Sequence, residues 1–173
     1  MNVKVVAETK RLLIKERDSW EFVERKSGKE AVIVLAVTDD GRVLLTEQMR
    51  RPLGKRVIEF PAGLVGDEEG GEEPADAARK ELKEETGYAC TKVELIARGP
   101  TTAGISSEVV SFYRARNVRK EGKGGGVSGE DITVHEVPLA EIRAWLEKKE
   151  RAGLAIDVKI WAGLYWLAVT DNR

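Results

Sequence analysis

The sequence predicts an α+β layered domain with mixed sheets, and three observations carry that prediction. Short β-branched runs fill the first third, a single amphipathic helix pattern interrupts them, and two further helix patterns close the chain after more strands. The length, 173 residues, suits one domain with a sizeable core. Residues 1–173 are therefore read as a single domain, with about residues 1–28 as an amino-terminal strand region.

In that region Trp20 and Phe22 flank Glu21, the alternation of one strand face. Ala31–Val37 is almost wholly apolar and β-branched, as a strand buried on both faces must be. Asp40-Gly41 supplies hairpin-turn chemistry, and Arg42–Gln48 reads as the partner strand. Val57–Phe60 is a short strand stopped by Pro61 and Gly63, and residues 64–73 read as a glycine- and acid-rich loop. A helix then fits Pro74 to Thr86, with proline in its first turn and Gly87 as its C-terminal cap. Val93–Ala97 and Glu108–Ala115 read as strands on either side of a Gly/Ser/Thr loop. Residues 121–130 carry five glycines and are expected to form a flexible connector. Ile132–Val137 is the last strand, followed by helices over Leu139–Glu150 and roughly Ile156–Val169.

Composition narrows the chemistry. Twenty-nine basic residues face 30 acidic ones, so the net charge of −1 gives no bulk electrostatic reason to seek nucleic acid. One cysteine, Cys90, excludes an internal disulfide framework, and one histidine, His135, excludes a zinc site of the usual Cys/His kind. His135 sits in a strand without a partner motif and is expected to be structural; Cys90 is assigned no role. No stretch reaches the roughly 18 apolar residues of a membrane span, and the first residues lack an apolar signal region. The expectation is a cytoplasmic protein working with carboxylates.

The 74–86 helix concentrates them. With about 100° per residue, Glu85 falls near +40° and Glu84 near −60° of Glu81, so three carboxylates share one arc. Ala78, Ala75 and Leu82 form the neighbouring apolar stripe, while Asp76, Arg79 and Lys83 face the other way. Like charges at these spacings repel, and a divalent cation reverses the sign of that interaction. Mg²⁺ suits such oxygen donors because it keeps several waters and is completed by substrate phosphates.

The surrounding spacing is more specific than the arc. Gly66, Glu72, Lys80 and then Glu81-Leu82-Lys83-Glu84-Glu85-Thr86-Gly87-Tyr88 resemble the Nudix box, Gly-x5-Glu-x7-Arg-Glu-U-x-Glu-Glu-x-Gly-U, at eight of nine defined positions. Lys80 stands where the family has arginine, and a lysine cannot make the planar two-pronged contact that arginine makes. Ile58-Glu59-Phe60-Pro61-Ala62-Gly63-Leu64 resembles the E-x-P-A-G segment of the ADP-ribose and nucleotide-sugar pyrophosphatases in that superfamily. Glu47-Gln48-Met49-Arg50 is similar to their E-Q-Y-R strand end. Ala103-Gly104-Ile105-Ser106-Ser107-Glu108 is similar to their S-P-G-x-S-x-E loop, and Gly129-Glu130-Asp131-Ile132 to a later acidic turn. Ala103 replaces the proline typical of ADP-ribose preference, which leaves other nucleoside diphosphate sugars open.

The resemblance implies a Nudix-type α/β/α sandwich that hydrolyses the diphosphate bond of ADP-ribose or a related sugar nucleotide, using Mg²⁺ or Mn²⁺. It implies Glu81, Glu84, Glu85 and the Ala62 carbonyl as metal ligands, and Glu108 as general base, with a box glutamate, Glu84, as the alternative. It further implies Arg50, with Arg51 beside it, as phosphate contacts and Trp20 and Phe22 as a stacking surface for the base. The similar enzymes are homodimers, and Trp145, Trp161 and Trp166 are assigned to core or dimer surface. Two alternatives stay open: hydrolysis of nucleoside di- or triphosphates or dinucleoside polyphosphates, and a sensor that binds ADP-ribose without cleaving it. Intact helix glutamates, and too few residues before the first strand for an added DNA-binding domain, weigh against the sensor.

Overall fold

The computed structural model describes residues 2–28, 30–66, 72–127 and 129–170, so part of the loop expected over 64–73 lies outside the described residues. The strand patterns of the first third fold as β1 (Val3–Glu8), β2 (Leu12–Arg17) and β3 (Trp20–Arg25), then β4 (Glu30–Leu35), β5 (Arg42–Arg50), β6 (Lys55–Glu59) and β7 (Ala62–Leu64). Helix α1 (Pro74–Thr86) leads into β8 (Tyr88–Ala89), β9 (Lys92–Pro100), β10 (Val109–Arg116), β11 (Arg119–Lys120) and β12 (Ile132–Pro138). A 3₁₀ turn then opens α2 (Ile142–Arg151), and the two-residue strand β13 (Ala155–Ile156) precedes α3 (Lys159–Thr170).

β1, β2 and β3 form an antiparallel meander of their own. The body holds two four-stranded mixed sheets, β7-β4-β10-β9 and β12-β5-β6-β13. In the first, β4 runs parallel to β10; in the second, β13 runs parallel to β6. Strand β4 is buried on both faces, as its apolar run requires. Its Ile33 and Leu35 enter one core with Leu45, Ile58, Phe60 and residues of α2 and α3. Val32 and Val34 enter the other, against Ala77, Ala78 and Leu82 of α1. Helix α1 therefore covers one side of the sheets and α2 and α3 the other, the α/β/α arrangement expected. Among the described residues no helix is long and apolar enough to cross a membrane.

The two ends of α1 fall where the sequence places them. Pro74 opens it, and Gly87 ends it at φ +75° with its N–H donating to the Lys83 carbonyl (2.9 Å). Two expectations need correction. Ile156 belongs to β13 and α3 begins at Lys159, because the main chain first pairs with Val57 and Ile58 of β6. The glycine-rich segment is packed rather than free: the Gly125 and Gly126 N–H groups donate to the Glu85 and Glu84 carbonyls (2.8 and 3.0 Å). Its glycines are needed for that approach, since a Cβ on Gly124 would strike the Thr86 main chain. Ser128 of this segment lies outside the described residues.

Candidate active site

Docking the Ala77–Ala78–Leu82 stripe brings the C-terminal half of α1 against β7. The Ala62 N–H donates to Glu85 Oε2 at 3.0 Å, and Glu85 is 4% exposed. Gly63 has no side chain because the Glu81 carboxylate occupies that space; any Cβ would overlap it. Burial lifts the Glu85 carboxyl to about 8 against the pull of the Ala62 N–H, with the charges of Glu81 and Glu130 adding to the rise. Burial likewise lifts Glu81 to about 7, with Glu84, Glu130 and Glu72 as further negative neighbours and Lys80 opposing them. These carboxylates are costly to ionise until a cation joins them.

Among the described residues no three Asp, Glu, His or Cys side chains converge as a ready-made metal cage. Mg²⁺ does not ask for one: one or two carboxylates plus waters and substrate phosphates suffice. Glu81 and Glu85, both buried and both oxygen donors beside the Ala62–Gly63 main chain, fit that demand. Glu84 adds its charge to Glu81 from the half-buried flank of the helix.

In front of β7 lies a cavity of about 430 Å³ lined by Arg25, Arg50, Glu59, Ala62, Glu108 and Lys159, among others. Arg50 Nε donates to Glu59 Oε2 at 2.7 Å. Burial pushes the Glu59 carboxyl up, Arg50 pulls it down, and Asp157 pushes it up again by charge and hydrogen bonding; the net direction is up. Asp157 is there because the parallel β13–β6 register, Ile156 against Ile58, sets the next residue beside Glu59. Its carboxylate accepts from the Lys159 N–H (2.8 Å) and from Lys159 Nζ (2.5 Å).

Glu108 reaches the cavity but is not free. Arg25 Nε donates to its Oε1 at 2.9 Å and Thr101 Oγ1 to its Oε2 at 3.4 Å. The loop that carries it hangs on β3: the Val23 N–H donates to the Ile105 carbonyl and the Ser107 N–H to the Val23 carbonyl (2.8 and 3.1 Å). Trp20 Nε1 donates to the Gly104 carbonyl at 3.0 Å. On this side Trp20 and Phe22 line a second cavity of about 320 Å³ with Arg17, Ala103, Ser106 and Ser107. Trp20 is 64% exposed, and Arg17 lies 5.5 Å from the Phe22 ring centroid.

Of the residues singled out from sequence, the fold thus gathers Arg50, Ala62 and Glu108 on one cavity, backed by Glu81 and Glu85, with Trp20 and Phe22 on the next. Arg51 lines neither; it is exposed in the turn after β5. Sequence reasoning missed Arg25, Asp157 and Lys159, and named Glu59 and Glu130 only as parts of motifs. A trace of the last was available: the acidic turn that holds Glu130 follows the glycine segment that packs on the box helix.

A model of the NUDIX domain matches residues 28–156. The "Methanol dehydrogenase activator" of Bacillus methanolicus is 33% identical over 120 residues, 69% of this chain and 63% of that protein. The ADP-ribose pyrophosphatase of Bacillus subtilis (strain 168) is 38% identical over 121 residues, 69% of this chain and 64% of its own. The match thus spans less than two thirds of the length of either relative. A crystal structure of an ADP compounds hydrolase superposes with a TM-score of 0.67 at 22% identity, covering 85% of this chain and 81% of that one, a likeness of fold.

Proposed function

This chain belongs to the Nudix family, and on that premise we propose that it is a pyrophosphohydrolase cleaving the diphosphate bond of ADP-ribose or another nucleoside diphosphate sugar. The products are a nucleoside monophosphate and a sugar phosphate. Nudix hydrolases generally use divalent metal ions, and we take Mg²⁺, with Mn²⁺ as substitute, as the ion here. The observation that carries the reading is the pair of buried carboxylates, Glu81 and Glu85, set against the Ala62–Gly63 main chain at the edge of a cavity rich in cations.

Glu81, Glu84, Glu85 and the Ala62 carbonyl are the residues that would hold the ion. Bound there, it neutralises phosphate charge and lowers the pKa of a water. Arg50 offers a guanidinium fork to a phosphate, with its Nε seated on Glu59; Arg51, which lines neither cavity, is assigned no contact. Trp20 and Phe22 give a planar surface for the base. Glu108 is our base for the attacking water, with Glu84 the alternative. Glu130 is a further candidate, since its charge acts on both Glu81 and Glu85 whereas Glu108 is tied to Arg25. We further propose a single domain acting in the cytoplasm as a homodimer, supported by exposed Val5 and Val6 on β1 and Trp161 and Tyr165 on α3.

The test is incubation with Mg²⁺ and a panel of ADP-ribose, other nucleotide sugars, dinucleoside polyphosphates and nucleoside triphosphates. Sugar nucleotides are expected to turn over fastest. Turnover of triphosphates alone would replace this substrate class, and none at all would end the enzyme reading. Glu85→Gln is expected to cut the rate by about a hundredfold or more, in line with the loss of a group acting on the transition state. It should also abolish the rise in melting temperature that Mg²⁺ gives the parent.

A further inference from the structure

Two carboxylates stand side by side at the end of β6. Glu59 is its last residue, and Asp157 is delivered beside it by the β13 register and held by its own N–H donating to the Ile58 carbonyl (3.0 Å). Both are well covered, with side-chain exposures of 11% and 12%. Each carries one cation, Arg50 on Glu59 and Lys159 on Asp157, and these remain 41% and 38% exposed. The four side chains thus run in the order cation, carboxylate, carboxylate, cation, with the anions inside and the cations at the opening. Arg50 and Lys159 line the 430 Å³ cavity together with Ala62 and Glu108. Both also line a neighbouring hollow of about 400 Å³ walled by Pro52, Leu53 and Val158.

Lys159 is unusually constrained for a lysine. The Asp157 carboxylate takes both its main-chain N–H and its ammonium, so the side chain folds back over the start of α3 rather than extending into water. That restraint removes much of the rotamer entropy a free lysine would lose on gripping a ligand. Each cation keeps its carboxylate, so the four side chains offer a diphosphate oriented N–H donors at the cavity opening rather than net positive charge.

We infer that Lys159 is a second phosphate-binding side chain of this cavity, seated on Asp157 as Arg50 is seated on Glu59, so that the two cations hold the two phosphates of a nucleoside diphosphate between them. The inference rests on the hydrolase reading above and names a specificity element within it. If Lys159 merely neutralised Asp157, its removal would change stability and leave phosphate affinity alone.

The experiment compares the parent, Lys159→Gln and Lys159→Arg in one Mg²⁺ buffer, by calorimetric titration with ADP and by steady-state kinetics on the sugar nucleotide that the parent cleaves best. Lys159→Gln is expected to weaken ADP binding about tenfold, or about 1.4 kcal/mol, with a comparable rise in KM; Lys159→Arg should stay within about threefold of the parent. ADP affinity and KM unchanged in a folded Lys159→Gln would overturn the inference. Should that variant fail to fold, the parent decides. Acetylation of Lys159 by acetic anhydride, read by mass spectrometry, must be slowed by inorganic pyrophosphate, and an unaltered rate overturns the inference equally. Parent turnover on the panel stands apart from both readouts, so loss of the activity reading and loss of this one cannot be confused.

Discussion

The β5–β6 hairpin carries a charged cluster on each face, and the two are built oppositely. Cross-strand register sets Glu47 against Ile58 and Glu59 against Thr46, so the two carboxylates point to opposite sides. Glu47 is surrounded by donors: Arg56 Nε at 2.7 Å, His135 Nε2 at 2.9 Å and Lys149 Nζ at 3.2 Å. Burial pushes its carboxyl up, but hydrogen bonds from His135, Arg56 and Lys149 outweigh burial and hold it at about 2. Trp145 packs edge-on to His135 and beneath Lys149, tying α2 to the sheet. Glu59 has one cation and a second carboxylate beside it, and its carboxyl is pushed up. A carboxylate oversupplied with partners is a strut between elements; one left short of cations is poised for a ligand that brings charge or takes it.

Neutral isosteres separate the two. Glu59→Gln is expected to lower kcat/KM by about tenfold to a hundredfold, since Arg50 loses the anion that aims it, while urea melts shift by less than about 1 kcal/mol. A buried carboxylate pushed up in pKa gives little stability, so its removal costs little. Glu47→Gln should do the reverse. It leaves Arg56, His135 and Lys149 without their shared anion and is expected to cost about 2 kcal/mol in a urea melt, with kcat/KM within about threefold of the parent. A Glu47→Gln enzyme that melts normally but has lost activity would erase the contrast.

The sequence resolved what is local and left out what is long-range. Both ends of α1 were legible because Pro74 and Gly87 act within one turn, and the double burial of β4 because it is apolar from Ala31 to Leu35. The box glutamates were legible through fixed spacing on one helix. Asp157 and Lys159 were not: their meeting with Glu59 and Arg50 depends on a two-residue parallel strand that no periodicity signals. The pairing of Glu108 with Arg25, which sets it apart from a free base, depends on the docking of β3 against the 101–108 loop. Glycine content alone suggested a flexible connector at 121–130; which carbonyls its N–H groups reach was invisible.

The smallest expected effect is a loss of stability in acid to which the strut contributes and Glu59 does not. Glu47 is held at about 2 against an ordinary 4.5, so its stabilising contribution is complete above pH 4.5 and is lost as pH falls from there toward 2. His135 adds to this in the same direction. Burial keeps its pKa below the ordinary 6.5 in spite of Glu47, so between the two values the unfolded chain takes up the proton more readily and the fold weakens as the solution acidifies. Glu81 and Glu85, pushed up to about 7 and about 8, act the other way and strengthen the fold as pH falls from 8 toward 4.5. The His135 loss is therefore read as the parent's urea midpoint minus that of His135→Gln, a difference expected to fall below pH 6.5. Below 4.5 the parent's own midpoint should drop in a steeper limb. Replacing Glu47 by Gln should make that limb shallower, the remainder coming from Glu30, Asp40, Glu94 and Glu136, whose carboxyls are also pulled down by their partners. Glu59→Gln should leave the steeper limb in place, because a carboxyl pushed up rather than down has no contribution to lose there. If the Glu59 variant flattened that limb as much as the Glu47 variant, the two faces of the hairpin would not differ as argued.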